Sequence, residues 1–265
     1  MTIVIFGEEH FNAALHYASK KNEYTIDRYG MNPRPLSEKI DDKVMGDLAE
    51  IGVCLFLRNA GLVALTYDQI RTDNFSQIDP GWDVFVGINR NDIMNWVNKV
   101  QNGLGDIRNP PRELGKTISV KSSRLPKNDI DYNAAILIRD FKIFNNNQFN
   151  INFDLTADIE IQVYFPYQRT QLDRNILLNS EEVDVCAKQK ESCQFISQKL
   201  GVSERYQDCF LAKWNYKDRI IQYSNSLPVN ERTWSSFGKS MWIAPLRHGM
   251  DLTELVYELE NRLKN

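Results

Sequence analysis

Three histidines among 265 residues, His10, His16 and His248, form no ligand set, and nothing around them supports a histidine-based nuclease or phosphatase. The four cysteines, Cys54, Cys186, Cys193 and Cys209, include no CxxC pair and no histidine at zinc spacing. Reduced cytosolic thiols are the expectation, with Cys54 buried among Val53, Leu55 and Phe56. There is no GxxxxGK[ST] phosphate loop and no GxSxG nucleophile elbow. No apolar run approaches the length of a membrane span. The apolar stretch Met1–Phe6 is too short for a secretory leader, lacks a basic start and runs straight into Glu8 and Glu9. These absences lead to the expectation of a soluble, cytoplasmic protein with no membrane partner. Positive charge is not in excess either, the net charge being −3. A nucleic-acid partner would therefore need a basic cleft within an acidic surface.

What is present has the periodicity of a mixed α/β protein. Helical spacing marks residues 8–21, 40–59, 91–101, 178–200 and 252–263. In the second of these, Val44, Leu48, Ile51, Leu55 and Phe56 form the apolar stripe and Gly61 lies just beyond it. Strand-like runs fall at 62–67, 84–88, 118–120, 134–139, 151–154, 158–164, 209–214 and 240–244. No internal repeat divides the chain. One α/β domain over 1–265 is predicted, a mixed β-sheet core of about 40–165 flanked by helices, with a C-terminal elaboration over 166–265.

Chemistry concentrates in two stretches. In Asp79-Pro80-Gly81-Trp82-Asp83-Val84-Phe85-Val86 an acid opens a short buried strand. In Lys116-Thr117-Ile118-Ser119-Val120-Lys121-Ser122-Ser123-Arg124 a lysine closes another. If the strands pair, Asp83 and Lys121 meet at one end, where a carboxylate and an ammonium can share a divalent metal and a phosphodiester.

This order of elements resembles the PD-(D/E)xK nuclease superfamily, which includes many restriction endonucleases. The resemblance implies a restriction-endonuclease-like core, with Asp83 as metal-binding acid and Lys121 as catalytic lysine. Ser119 stands where the family carries Asp or Glu, and a hard cation held by one carboxylate instead of two is held poorly. Glu50, on a helix resembling the one that precedes the family's core sheet, is one candidate for the missing acid. Spacing alone reads Asp47 and Glu50 as a solvated acidic edge of that helix. Asp158 or Glu160 are further candidates, although strand alternation places them on an exposed face.

The resemblance further implies a Mg²⁺-dependent endonuclease acting on double-stranded DNA, a type II restriction enzyme working as a homodimer. Asp83, Glu50 and the Val120 carbonyl would hold the metal, Lys121 would stabilise the developing charge, and Ser119 would orient a water. Ser122, Ser123, Arg124 and Lys127 follow the lysine and offer amides, hydroxyls and charge to phosphates. Gln168 and Arg169 are suited to base edges. The alternatives are a degenerate nuclease fold that binds DNA or another protein without cutting, and a repair or recombination nuclease.

Overall fold

The computed structural model describes residues 2–24, 34–77, 79–125, 131–144, 155–166, 171–173, 175–234 and 239–264. In chain order the elements are β1 (Thr2–Ile5), α1 (Glu8–Asn22), α2 (Leu36–Asn59), β2 (Val63–Thr66), α3 (Tyr67–Ile70), β3 (Val84–Gly87), α4 (Arg90–Gln101), β4 (Lys116–Arg124), α5 (Tyr132–Ile138), β5 (Asp140–Phe144) and β6 (Ile159–Phe165). They continue with α6 (Ser180–Lys188), α7 (Cys193–Leu200), α8 (Val202–Arg205), β7 (Asp208–Tyr216), α9 (Lys217–Ser226), β8 (Thr233–Trp234), β9 (Lys239–Pro245) and α10 (Leu252–Lys264). The expected mixed α/β class holds.

A six-stranded sheet runs in the order β1-β7-β6-β4-β3-β2, antiparallel except for the parallel β4–β6 pair. A second sheet, β5-β9-β8, is antiparallel throughout. Alternation along the strands sends side chains to different cores. Val84, Val86, Ile118, Val120, Ile159, Ile161 and Val163 join the apolar stripes of α1 and α2 in the main core. On the other face, Phe85 packs with Trp82, Trp96 and Val97. Tyr164, Phe210 and Ala212 pack there with Phe141 and Trp242 of the second sheet. The polar side chains of β4 and β6 fall between these two smaller cores.

Gly52 lets α2 lie close on the sheet, because a Cβ at that position would stand 2.8 Å from Cys209 Sγ. A methyl group could be admitted only if α2 withdrew from β7.

Three expectations need correction here, and two elements were not foreseen. The apolar run 134–139 is α5, not a strand: the Asp131 carboxylate caps it by accepting the Asn133 N–H at 2.9 Å, and Ala-Ala-Ile-Leu-Ile has no alternation to favour a pleat. The continuous helix 178–200 is two helices, broken by a single 3₁₀ turn at Lys190–Ser192. The break brings Cys186 and Cys193 to a Cα separation of 4.8 Å in a disulfide, which corrects the expectation of reduced thiols for this pair. Cys54 and Cys209 are free and buried. Finally, β1 and α9 carry no periodicity long enough to announce them, and both form because β7 and β9 provide surfaces to pack on. The strand-like run 151–154 lies outside the described residues.

The disulfide closes a short loop, so its removal frees little chain. Replacing Cys186 and Cys193 with Ser should cost roughly 2–3 kcal/mol by loop-closure entropy. The measurement is denaturant unfolding of the double variant against the natural chain, and an unchanged midpoint would refute it.

Candidate active site

Asp83 ends a turn that only glycine serves, since Gly81 has φ +91° and any Cβ there would collide with Thr156 Oγ1. The backbone of Asp83 is held on both sides. Its N–H donates to the Ile118 carbonyl at 2.8 Å, and its carbonyl accepts the Tyr67 N–H at 2.8 Å. Its carboxylate Oδ2 then accepts the Val120 N–H at 2.6 Å. The acid is thereby locked against the segment Ser119-Val120-Lys121. Val120 meets Asp83 through its amide.

The β4–β6 register places Ser119 beside Glu160 and Lys121 beside Gln162. Residues two apart on a strand share a face, and paired residues on neighbouring strands share it too. Ser119, Lys121, Glu160 and Gln162 therefore form one polar patch on the face opposite Ile118 and Val120. Gln162 is structural, donating Nε2 to the carbonyls of Lys121 and Val163 at 2.9 and 3.1 Å. Ser119 Oγ and Glu160 Oε2 are buried without a well-formed hydrogen bond, although the two groups lie close enough for the hydroxyl to favour the Glu160 carboxylate. Buried oxygens of this kind are uncommon in native proteins and invite a ligand.

Glu160 corrects the expectation of an exposed strand face, for it is only 2% exposed. Its uncharged neighbour Ser119 is covered as well. Asp158 does not reach the site; its carboxylate accepts the N–H and hydroxyl of Thr117, both at 3.0 Å, and caps the start of β4. The register thus puts a buried carboxyl group on the adjacent strand directly beside Ser119. A sequence pattern confined to one strand cannot express that.

Burial pushes the Glu160 carboxyl up to about 7, opposed by the Lys121 ammonium and reinforced by Asp83. Burial works to discharge Lys121, but Asp83, then Glu160, then Glu50 outweigh it and raise its pKa above the ordinary value. Of these acids Asp83 contributes most to keeping the ammonium charged.

The Glu160 shift has a consequence for stability. A carboxyl whose folded pKa exceeds its unfolded value of about 4.5 binds more protons when folded, so stability falls as pH rises from about 4.5 to about 7. In metal-free solution the natural chain should lose melting temperature relative to Glu160→Gln across that window. Parallel curves from pH 4.5 to 7.5 would refute the assignment.

Glu50 is half-buried on α2, one turn from Asp47. Asp47 is buried, which corrects the reading of this helix edge as solvated. Oxygens of Asp47, Glu50 and Asp68 lie within 4.8 Å of one another, a spacing that could hold a metal ion. Burial raises the Glu50 carboxyl well above its ordinary range, opposed by Lys21 and reinforced by Asp83, Asp68 and Asp47. Glu50 therefore stands between two acidic groups, feeling Asp83 on one side and the α2–α3 acids on the other.

The residues expected at a nucleic-acid surface divide. Ser122 is half-buried and Ser123 exposed, just beyond Lys121 on β4. Arg124 is committed elsewhere: Nη2 donates to Asp41 at 2.7 Å and to the Tyr206 hydroxyl at 2.9 Å, and Nη1 donates to Asp42 at 3.1 Å. Its side chain faces α2 with the even-numbered residues of β4, away from Lys121. Lys127, Gln168 and Arg169 lie outside the described residues.

Two carboxyl groups from the strands on either side of β4, one with an orphaned oxygen, suit a hard divalent cation, and Mg²⁺ asks for oxygen donors of this type. An ammonium beside them suits an anion. No protein-family model, curated protein or solved structure matches this chain. No helix among the described residues is long and apolar enough to cross a membrane.

Proposed function

We propose that this protein is a Mg²⁺-dependent endodeoxyribonuclease with a restriction-endonuclease-like core formed by α2, β2, β3, β4 and β6. The single observation that carries the reading is the convergence of Asp83, Lys121 and Glu160 on one face of three adjacent strands. Asp83 and Glu160 would hold the ion, with the Val120 carbonyl and Glu50 as further oxygen donors. When bound, Mg²⁺ supplies Lewis-acid polarisation of a phosphoryl oxygen.

The chain's own groups account for the remainder. Lys121, kept charged by its acidic neighbours, donates to the phosphoryl oxygens as negative charge builds in the transition state. The Ser119 hydroxyl, beside Glu160, orients the attacking water. The phosphodiester lies along β4, where the Ser123 hydroxyl, on the face of Lys121, reaches its oxygens, while Ser122 lies on the opposite face with Arg124. A homodimer on a palindromic site is the matching assembly for a type II restriction enzyme, since a two-fold axis in the protein meets one in the DNA.

Incubation with plasmid DNA and Mg²⁺, against an EDTA control, tests this. Discrete fragments that disappear with EDTA are expected. Intact plasmid with retained DNA binding would favour a degenerate nuclease fold, and the absence of both would end the nucleic-acid reading.

A further inference from the structure

Beside the Asp83–Glu160 pair lies a second acidic group, of which the proposed chemistry uses only Glu50. Asp47 comes from α2 and Asp68 from α3, and their side chains are 4% and 3% exposed. With Glu50 they present three oxygens within 4.8 Å of one another. Oxygens about 2.0–2.6 Å from a common divalent ion lie up to roughly 4–5 Å apart across it, so the spacing is that of a cation site.

Two observations separate this cluster from a chance gathering of acids. First, it already holds a cation: the ammonium of Lys21, from the last turn of α1, stands 2.5 Å from Asp47 Oδ1 and 2.6 Å from Asp68 Oδ2. Second, Asp47 Oδ2 is buried and has no hydrogen-bond partner, so the coordination is incomplete with the ammonium in place.

We propose that Lys21 is a tethered cation occupying a three-carboxylate site of Asp47, Glu50 and Asp68 that takes a divalent metal ion when the ammonium is removed. An ammonium and a metal ion cannot share the centre of one such triad. The lysine is delivered by its own helix, at an effective concentration that a free ion would have to exceed. A buried acidic triad left empty would carry strong mutual repulsion among its carboxylates. Lys21 relieves it with a single positive charge and joins α1, α2 and α3 in doing so. If the nuclease reading holds, the same contact keeps metal on the Asp83–Glu160 side and leaves Glu50 free to lean toward it. The claim about Lys21 does not depend on that reading.

Mn²⁺ is the probe, counted per chain by the electron paramagnetic resonance signal of the free ion. Lys21→Met keeps the length of the side chain and removes the charge. It should bind about one Mn²⁺ more than the natural chain, and Lys21→Met/Asp68→Asn should lose that addition. Mn²⁺ should also raise the melting temperature of Lys21→Met more than that of the natural chain. Equal uptake by the natural chain and a folded Lys21→Met variant would overturn the proposal. So would loss of an ion from the natural chain on Asp68→Asn alone, since metal would then already occupy the triad. If Lys21→Met folds only when Mn²⁺ is added, the proposal is supported. If it does not fold even then, Lys21→Gln replaces it, and natural uptake by that variant overturns the proposal. Asp83→Asn in the same assay addresses the other site: unchanged uptake there would count against the nuclease reading and leave the Lys21 result standing.

Discussion

Glu160→Gln should lower the rate of DNA cleavage by about 10²–10³-fold while leaving DNA binding in EDTA within about twofold of the natural chain. The magnitude is that of losing one electrostatic group aimed at the transition state, here a carboxylate whose charge would hold the ion. Gln keeps the volume and one oxygen, so β6 should pack as before. The appropriate control is Asp158→Asn, two residues away on the same segment. Its carboxylate is consumed by Thr117, at 3.0 Å from both the amide and the hydroxyl, and its loss should cost stability and not rate. Lys121→Ala should resemble Glu160→Gln in rate. Single-turnover cleavage of a plasmid at saturating enzyme separates these outcomes. Equal rates for Glu160→Gln and the natural chain would remove Glu160 from the site and return the question of the missing acid to Glu50.

The largest effect on stability is expected far from that patch, at Asp41. This carboxylate is 1% exposed and accepts four hydrogen bonds. Arg205 approaches in a fork at 2.8 and 2.7 Å, Arg124 adds a contact at 2.7 Å and the Tyr206 hydroxyl one at 3.0 Å. Removing the acid takes the charged partner from the buried Arg205 guanidinium, which still donates to the Leu200 carbonyl at 3.1 Å, and removes one of three hydrogen bonds that hold Arg124. Breaking one side of a buried ion network costs about 3–5 kcal/mol, because the partner charge stays desolvated. Asp41→Ala should lose that much in denaturant unfolding, and a change below about 1 kcal/mol would show that water takes the carboxylate's place. Arg124→Ala should lose less, since Asp41 keeps Arg205, and it should not weaken DNA binding selectively.

Much of the architecture could be read from the chain. The stripes of α1, α2, α4 and α10 follow from apolar residues recurring every three to four positions. The runs opening at Val84 and Ile118 follow from their buried β-branched and aromatic residues. The pairing of those two strands, and with it the approach of Asp83 to Lys121, was also within reach. Elements held by their neighbours were not legible: β1 is too short to show a period, and α5 reads as a strand until its cap at Asp131 is seen. The Cys186–Cys193 bond was hidden because the spacing matches no common motif and a continuous helix over 178–200 would have kept the two sulfurs apart.

By itself, the amino-acid order determined which groups are able to do chemistry here and on which local element each one rides, because helix and strand periods are short-range properties of the chain. Only the tertiary structure decided which acids face Lys121. Glu160 comes to lie beside Ser119 through the register of two parallel strands. Lys21 reaches Asp47 and Asp68 by the packing of three helices. Arg124 is drawn away to Asp41. Each of these is a contact between distant segments, fixed by how faces pack and by the cost of burying a charge without a partner, and no local spacing records it.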